Sequence, residues 1–376
     1  MVRLSIAVLF LGLLGLSAPC ALGQEAPKGD LIISGNQVFV IRDTMYIQTG
    51  NVVVKDNATL LIRQATLQIS LRGEQHYNIS VTDKGRILLD SGTINSLAER
   101  SGVSVERNGN ITIQQGSSIA GFRSVSSIGN SSFTIDRSRI TRVRTVSFDG
   151  YKLEVKYGVV EGTVSISAWK VSIWNSRIDR LEVRSNIDNS AGQSILITDS
   201  IVNTVASYTW KLFLYNVTLN RASTPGGNAT IFRYWWLEAS VVDRLATVPN
   251  ARVTVIFYAN NSVALEAITD RSGSIRFPAL SEIITISGIS FVGNYRIRAT
   301  LGNASSPLQP ATLNGNRLIT LVIGRLASSL TCSVTSKKML QGETQTVTGL
   351  LSPTLVDTIV TVLYIRPDGG TIRRQI

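Results

Sequence analysis

Four acidic residues, Asp90, Asp136, Asp199 and Glu238, each follow a short apolar run of the chain. Two carboxylates that converge on one face act as acid and base in glycoside hydrolysis, and a cluster of them binds calcium. These four fall on different, mostly non-adjacent repeats of the pattern described below, and His76 is isolated in a predicted loop. We therefore predict no catalytic residues, and a carbohydrate-cleaving enzyme stays as an alternative.

The chain holds 376 residues with one histidine and two cysteines, Cys20 and Cys332. A histidine-based metal site or a cysteine-rich zinc module needs more ligands than these three residues supply. A scaffold stapled by several disulfides is excluded for the same reason. The sequence predicts neither a metal nor a cofactor.

Basic residues are in excess, with 37 Lys and Arg against 25 Asp and Glu. The densest group is Arg137, Arg139, Arg142 and Arg144, whose near period-two spacing would aim the side chains outward together. We interpret the group as an anion-binding strip for acidic polysaccharide, lipid headgroups or acidic surface proteins, and we expect no nucleic acid. The alternative is that these arginines are solvated and prevent β edges from aggregating.

Aromatic residues gather in the later repeats. Trp174, Thr198 and Tyr215 occupy one outward column, which would place the two rings about 10 Å apart on alternate rungs. Sugars stack on such rings, so Trp174 and Tyr215 are candidate sugar-stacking residues. Trp169 and Trp210 share another column. The alternative is that these rings cover the flank of the fold beneath a loop or a neighbouring domain.

Eight Asn-x-Ser/Thr triplets follow the first 24 residues, about twice the number that chance placement gives. They begin at Asn57, Asn78, Asn110, Asn130, Asn216, Asn228, Asn260 and Asn303. If modified, they would carry bulky glycans on the outer surface of an exported protein. The alternative is that a Ser/Thr-rich sequence produces such triplets by accident.

The elements that must position these residues come from a repeat that recurs nine times at intervals of 17 to 27 residues. Its central apolar column is Ile62, Leu89, Ile113, Ile135, Val155, Ile173, Ile197, Leu214 and Leu237. A second apolar column stands two residues earlier. Three residues later stand Ala65, Gly92, Gly116, Ser138, Gly158, Ser176, Ser200, Val217 and Ser240, which are small in eight of the nine repeats.

The period of two within each repeat predicts strands, and the small residue after each strand predicts a corner. A strand, a tight corner and a second strand make one coil of a parallel β-helix, in which stacking buries the inward side chains. A β-sandwich of antiparallel hairpins is the competing architecture, but few Asn-Gly or Asp-Gly turns occur. We predict an all-β chain with a parallel β-helix over residues 30–244.

Residues 30–244 resemble the right-handed parallel β-helix repeats of pectin-lyase-like proteins and of large archaeal and bacterial surface proteins. The resemblance lies in periodicity and corners, so it implies an architecture rather than an activity.

Residues 246–302 show three alternating runs and an Asp270–Gly273 turn, in which Asp caps the loop and Gly supplies a positive φ. The strings resemble the carboxypeptidase regulatory-like, transthyretin-like β-sandwich, a family that implies a non-catalytic spacer or interaction domain. Residues 303–328 are predicted as a linker with one strand. Residues 329–376 resemble the first half of an immunoglobulin-like repeat, which takes about 100 residues when complete.

Residues 1–23 carry a basic residue near their start, Arg3, continue with an apolar run from Leu4 to Leu16 and end in small residues. This pattern predicts a signal peptide, with an uncleaved membrane anchor as the alternative. We therefore expect an exported, non-catalytic surface protein with a structural or adhesive role and with envelope glycans or other surface proteins as partners. Carbohydrate binding or cleavage, and capture of an acidic ligand, are the alternatives. The sequence does not determine the oligomeric state.

Overall fold

The computed structural model describes residues 29–70, 75–98, 100–184, 194–243 and 246–324, and the backbone of strands at 329–334, 347–352, 361–365 and 371–375. The predicted signal peptide therefore lies outside the described residues. The chain forms two compact units. The first ends at Arg233 and also takes Ile283–Ile289, and the second comprises Tyr234–Glu282 and the residues from Ser290 onward.

The first unit consists of short strands. They are β1 (Leu31–Ile33), β2 (Val38–Arg42), β3 (Met45–Gln48), β4 (Val52–Val54), β5 (Thr59–Arg63), β6 (Thr66–Ile69), β7 (Ile79–Val81), β8 (Arg86–Asp90), β9 (Thr93–Ser96), β10 (Gly102–Val105), β11 (Asn110–Gln114), β12 (Ser118–Ala120), β13 (Ser124–Ile128), β14 (Ser132–Asp136), β15 (Arg139–Thr141), β16 (Thr145–Asp149), β17 (Lys152–Lys156), β18 (Val159–Ile166), β19 (Lys170–Trp174), β20 (Arg177–Val183), β21 (Ser194–Thr198), β22 (Ile201–Ser207), β23 (Lys211–Tyr215) and β24 (Thr218–Ser223).

These strands stack in three parallel ladders, one strand of each ladder per coil. Ladder 1 is β1-β4-β7-β10-β13-β16, ladder 2 is β2-β5-β8-β11-β14-β17-β19-β21-β23, and ladder 3 is β3-β6-β9-β12-β15. Within each ladder, the described pairings of neighbouring strands are parallel, as in β11 with β14 and β12 with β15. The predicted parallel β-helix is confirmed, with about nine coils, and the hairpin sandwich is excluded for this unit.

The predicted central column is also the observed register of ladder 2. Its first eight members form seven successive pairs, from Ile62 with Leu89 through to Ile197 with Leu214. Ile41 adds a rung before Ile62 that the repeat analysis missed. Leu237, the ninth predicted member, belongs to the second unit. Side chains of this column are buried, so stacking supplies the apolar core that a single coil lacks.

Each of the nine coils turns at a left-handed residue directly after the last residue of its ladder 2 strand, with φ between 47° and 58°. Those residues are Asp43, Gln64, Ser91, Gln115, Arg137, Tyr157, Asn175, Asp199 and Asn216. None is glycine, although left-handed φ favours glycine, so tertiary stacking fixes the conformation. The small residue comes next because it points into the buried corner.

Gly116 is not the corner residue that the repeat alignment predicted. Ser118 pairs with Thr93 in the coil before and with Arg139 in the coil after, which aligns Ser117 with Gly92 and Ser138. Gly116 is an extra residue that extends the left-handed turn, with φ of 79°. The coil thus contains one residue more than its neighbours at this corner.

The coil cross-section changes at β18. Its first residues continue ladder 3 and its later residues continue ladder 1, with a register shift between Val160 and Thr163. The corner between ladders 3 and 1 is therefore absorbed into one strand, and β20, β22 and β24 follow the same path. This change accounts for part of the uneven repeat length.

The remaining strands begin with β25, which crosses the boundary between the units in sequence. They are β25 (Thr230–Asp243), β26 (Ala246–Thr247), β27 (Arg252–Phe257), β28 (Val263–Ile268), β29 (Ser274–Thr285), β30 (Gly288–Phe291), β31 (Asn294–Leu301), β32 (Ala304–Ser305), β33 (Gln309–Thr312), β34 (Arg317–Val322), β35 (Ser329–Val334), β36 (Val347–Ser352), β37 (Thr361–Ile365) and β38 (Thr371–Gln375). Antiparallel pairing dominates here: β27 lies between β28 and β31, β35 pairs with β36, and β37 pairs with β38.

The Asp270–Gly273 turn forms as predicted. Asp270 Oδ1 accepts hydrogen bonds from the Ser272 N–H at 2.8 Å and the Ser274 N–H at 3.1 Å, and Gly273 has φ of 72°. The hydrogen bond from the Ser272 hydroxyl, together with those from the two backbone N–H groups, holds the pKa of Asp270 below its usual range.

Residues 303–310 were predicted as linker, but β32 and β33 extend the antiparallel sheet there. Both strands pair with β31, and Pro310 stands opposite Arg296. The polar, proline-bearing sequence hid these strands because Ser306 is the one buried residue of 303–310, so no alternating apolar pattern marks them.

Candidate functional site

The outward column of ladder 2 carries the predicted sugar-stacking residues. Trp174 pairs with Thr198, and Thr198 pairs with Tyr215, so the predicted alternation on successive coils is observed. Trp174 is exposed, whereas Tyr215 is half-buried and burial raises the pKa of its hydroxyl. The two rings therefore do not offer equivalent surfaces to a ligand.

Trp174 packs instead, in a tilted arrangement, against a residue that the sequence analysis did not single out. The rings of Tyr157 and Trp174 lie 5.3 Å apart between centroids, and the Arg137 guanidinium lies 6.0 Å from the Tyr157 centroid. Tyr157 reaches this place because it is the left-handed corner residue of its coil. An exposed aromatic pair with an adjacent cation thus occupies one edge of ladder 2.

A second set of exposed rings lies at the corners that precede the ladder 2 strands. Trp210 is 73% exposed and Trp169 is 48% exposed. Tyr151 is aligned with Trp169 on the adjacent coil, since Lys152 pairs with Lys170. The Lys170 ammonium lies 5.3 Å from the Tyr151 ring centroid. These rings therefore lie on the surface of the first unit and not in its core.

The four arginines predicted as one strip do not lie along one strand. Arg137 and Arg142 both have positive φ, at 47° and 52°, and each turns the chain into a new ladder. Arg137 therefore lies beside Tyr157, and Arg139 is exposed on β15. Arg142 and Arg144 lie at the next corner. The period-two argument fails because it treats two corners as a continuous strand.

Arg142 and Arg144 line a cavity of about 630 Å³, which we call the arginine cleft. Its lining residues are Ser96, Leu97, Arg100, Gly121, Phe122, Arg123, Arg142 and Arg144. Four arginines from three successive coils therefore contribute to one concave surface. Carboxylates are absent from this lining among the described residues.

The cleft occupies the corner between ladders 3 and 1. Gly121, with φ of 76°, permits the sharp turn, since a Cβ there would lie 2.3 Å from the Ser96 carbonyl oxygen. Arg142 takes the equivalent left-handed position one coil later, because Ala120 pairs with Thr141. Beyond that coil the corner is absorbed into β18, so the cleft ends at the last coil on which the corner exists.

Arg123 and Arg144 stand at equivalent positions on adjacent coils. Ser124 pairs with Thr145, and the Thr145 N–H donates to the Arg123 carbonyl oxygen at 3.2 Å. Within the described part of the chain, no carboxylate lies within 4.0 Å of the nitrogens of the four cleft arginines. The charged side chains in the described lining of the cleft are therefore all positive.

The candidate carboxylates lie on separate rungs. Asp90 and Asp136 are separated by the Gln114 rung, and Asp90 pairs with Arg63 at 3.0 Å. Asp199 Oδ1 accepts a 2.6 Å hydrogen bond from the Asn216 side chain, and Glu238 belongs to the second unit. The three first-unit carboxylates are thus spread along the coils.

His76 is exposed. Among the residues described, no group of three or more His, Cys, Asp or Glu side chains is arranged to hold a metal ion. The described residues also contain no helix with the length and apolarity needed to cross a membrane.

All eight predicted glycosylation asparagines are described. Asn57, Asn78, Asn130, Asn228, Asn260 and Asn303 are exposed, and Asn110 and Asn216 are half-buried. The amide nitrogens of the two half-buried residues donate 2.6 Å hydrogen bonds to Ser132 and Asp199, respectively. The sites therefore differ in how available the amide is for modification.

Sequence reasoning missed Arg100, Arg123 and Tyr157. Arg123 precedes Arg144 by 21 residues, close to the spacing of the repeat, so extending the alignment to the corners would have found it. Tyr157 follows the outward column by one residue and was outside the columns considered.

Comparison with known proteins gives no relative for this chain: no protein-family profile, no curated protein and no solved structure matches it.

Proposed function

We propose that the protein is an exported component of a cell surface or envelope with a structural or adhesive, non-catalytic role. The observation that supports this proposal most strongly is the uninterrupted register of ladder 2, in which each coil rests on the next from Ile41 to Leu214. A continuous buried core along stacked coils resists bending and presents outward side chains at fixed spacing. Such a scaffold suits multivalent contact with envelope glycans or other surface proteins.

Export is supported by the pattern of residues 1–23 and by the exposure of six of the eight Asn-x-Ser/Thr asparagines. Bulky glycans need surface positions, and these six provide them.

The later segments also fit a spacer role. The capped Asp270–Gly273 turn and the antiparallel pairs of β27 support a carboxypeptidase regulatory-like module at 246–302. The antiparallel pairs at 329–376 are compatible with part of an immunoglobulin-like domain. Within this proposal both modules act as spacers.

The test is localisation in the native cell. Antibody labelling and protease shaving of intact cells should detect the wild-type chain at the surface. The matched control is Leu13→Arg, which interrupts the apolar run of the leader and should retain the chain inside. Retention of the wild type in the cytoplasm would refute the proposal. Adhesion is then measured as binding of the purified chain to isolated envelopes, where no retention would remove the adhesive role.

A second candidate function, binding of uncharged carbohydrate, is favoured by the exposed rings of Tyr151, Trp169 and Trp210. Aromatic faces stack on the apolar faces of sugars. An array of neutral oligosaccharides probed with the wild type and with Trp169→Ala/Trp210→Ala tests this function. The Tyr258→Ala variant removes an exposed ring from the second unit and serves as the control. Equal signals from all three proteins would exclude this site.

A further inference from the structure

We propose that the arginine cleft binds a segment of an acidic polysaccharide. The guanidinium groups of successive coils would take the anionic groups of successive sugar units. This inference names a partner for the proposed surface protein and rests on that location for its biological relevance. The binding itself follows from the cleft and is measurable without it.

The first argument is charge. Arg100, Arg123, Arg142 and Arg144 line one cavity, and no described carboxylate lies within ion-pairing distance of them. Arg123 and Arg144 are aligned on coils about 4.8 Å apart, so their like charges repel. A bound anion between them converts that repulsion into two favourable contacts. Arginine is suited to this because its planar fork binds a carboxylate or sulfate bidentately.

The second argument is shape. The cleft takes arginines from three successive coils, so its charges form a row along the stacking direction rather than a ring around one point. A single small anion would leave most of the row unpaired. A linear polymer with one charge per unit pairs with the whole row. Extended sugar units have a length close to one coil spacing.

The third argument is the remaining lining. Leu97 is exposed in the lining and provides apolar surface for the C–H faces of sugar rings, and Phe122, which also lines the cleft, is buried beneath the surface. Arg142 is oriented by a 3.5 Å contact from Nη2 to Asn95 Oδ1. Charged and apolar groups side by side match a sugar acid better than a hydrated inorganic ion.

The concave shape of the arginine cleft also favours this ligand over other polyanions. A membrane surface presents headgroups in a plane, and a duplex presents phosphates on a convex cylinder. Neither shape enters a concave corner as readily as a single polysaccharide chain. Nucleic acid and anionic vesicles are therefore used as competing probes.

The experiment is calorimetric titration of the full chain with a mannuronate hexasaccharide and with its methyl-esterified, uncharged form. Inorganic sulfate, a twelve-nucleotide single-stranded DNA and phosphatidylglycerol vesicles are the other probes. We expect the acidic hexasaccharide to bind and its neutral form to bind at least tenfold more weakly. The proposal would be overturned if DNA or vesicles bound more tightly than the acidic hexasaccharide, or if the neutral form bound as tightly as the acidic one.

The cleft is tested with Arg123→Gln/Arg144→Gln, which we expect to weaken hexasaccharide binding at least tenfold. The matched control is Arg252→Gln/Arg298→Gln, which removes two charges from exposed positions of the second unit and should change affinity less than twofold. Equal losses of affinity in the two double variants would show that the polysaccharide is attracted by the overall positive charge, and would refute binding at the cleft. If the cleft double variant fails to fold, Arg144→Lys keeps the charge, removes the bidentate fork and should still weaken binding.

The outcome is separable from that of the proposed function. If the chain binds the hexasaccharide but stays inside the cell, the cleft proposal is supported and the proposed surface role is refuted. If the chain is at the surface but does not bind the acidic hexasaccharide, only the cleft proposal is refuted.

Discussion

The Gly158 N–H donates a 3.1 Å hydrogen bond to the Ser176 hydroxyl on the next coil. Ser176 Oγ in turn donates to the carbonyl oxygens of Trp174 at 2.8 Å or Val155 at 3.2 Å. Ser176, the small residue of its corner, therefore does more than fill space. At this position it pairs backbone groups that the left-handed turn leaves without a strand partner.

We predict that Ser176→Ala lowers the free energy of unfolding of the first unit by about 1–3 kcal/mol. Removal of the hydroxyl leaves the buried Gly158 N–H without its acceptor. Urea unfolding followed by circular dichroism measures the change. The control is Ser172→Ala on the outward face of β19, which should change stability by less than about 0.5 kcal/mol. Equal effects of the two substitutions would contradict a specific role for the corner.

The adjacent glycine gives a second prediction. A Cβ on Gly158 would lie 2.7 Å from Val155 Cγ1 and 3.1 Å from Ile135 Cγ2, in the packed corner. We expect Gly158→Ala to destabilise the first unit by about 1–3 kcal/mol, because the core has no room to relax. The control is Gly227→Ala, because a Cβ added at Gly227 would have no atom within 4 Å apart from those of its chain neighbours. Thermal unfolding compares them, and a neutral Gly158→Ala would show that the corner is loosely packed.

Ladder 2 was predictable from the sequence because burial repeats at every coil. An inward position admits aliphatic side chains, so Ile135, Val155 and Ile173 could be aligned without coordinates, and their pairing is the predicted one. The prediction failed at Gly116 because an inserted residue changes the corner without changing the strands.

The arginine cleft was less predictable because it is built from corners, whose residues are solvated and carry no periodic apolar signal. Arg142 and Arg144 were identified, but their grouping with Arg137 assumed a straight strand. The contribution of Arg123 depends on register between coils, which is known once the ladder is aligned. Identification of the arginine cleft therefore required knowledge of the fold.

The third prediction concerns the core column. Ile113 is fully buried between Leu89 and Ile135. Ile113→Ala should lower the free energy of unfolding by about 2–5 kcal/mol through lost burial and the cavity that remains. Thr112→Ala, on the outward face of the same strand, should cost far less. Denaturant unfolding of both variants is the measurement, and similar midpoints would argue against the inward assignment.

The fourth prediction concerns glycan occupancy when the chain is secreted from a glycosylating host. Asn130, Asn228 and Asn303 are exposed, whereas the amides of Asn110 and Asn216 are half-buried and donate hydrogen bonds to neighbouring coils. We expect higher occupancy at the exposed three, measured by peptide mass spectrometry after enzymatic deglycosylation. Uniform occupancy would indicate modification before these coils form.

The last prediction follows from Glu154, which lies between two lysines on β17. Its hydrogen bonds with Lys152, at 2.6 Å, and with Lys156 hold the pKa of Glu154 below its usual range. A lowered folded-state pKa means that the ion pairs stabilise the fold above the ordinary glutamate pKa of about 4.3. That stabilisation is lost as pH falls from this value through the folded-state pKa.

Glu154→Gln should therefore lower the stability of the first unit at pH 7 by about 0.5–1 kcal/mol, a modest effect because both lysines are partly exposed. The difference from wild type should shrink as the pH is lowered below about 4, because the wild-type carboxylate is then protonated as well. Melting temperatures at pH 7, 5 and 3 measure this. Asp149→Asn is the control, since Asp149 is exposed and forms no ion pair with a described residue. A constant difference between wild type and Glu154→Gln across this range would show that the glutamate acts through packing rather than charge.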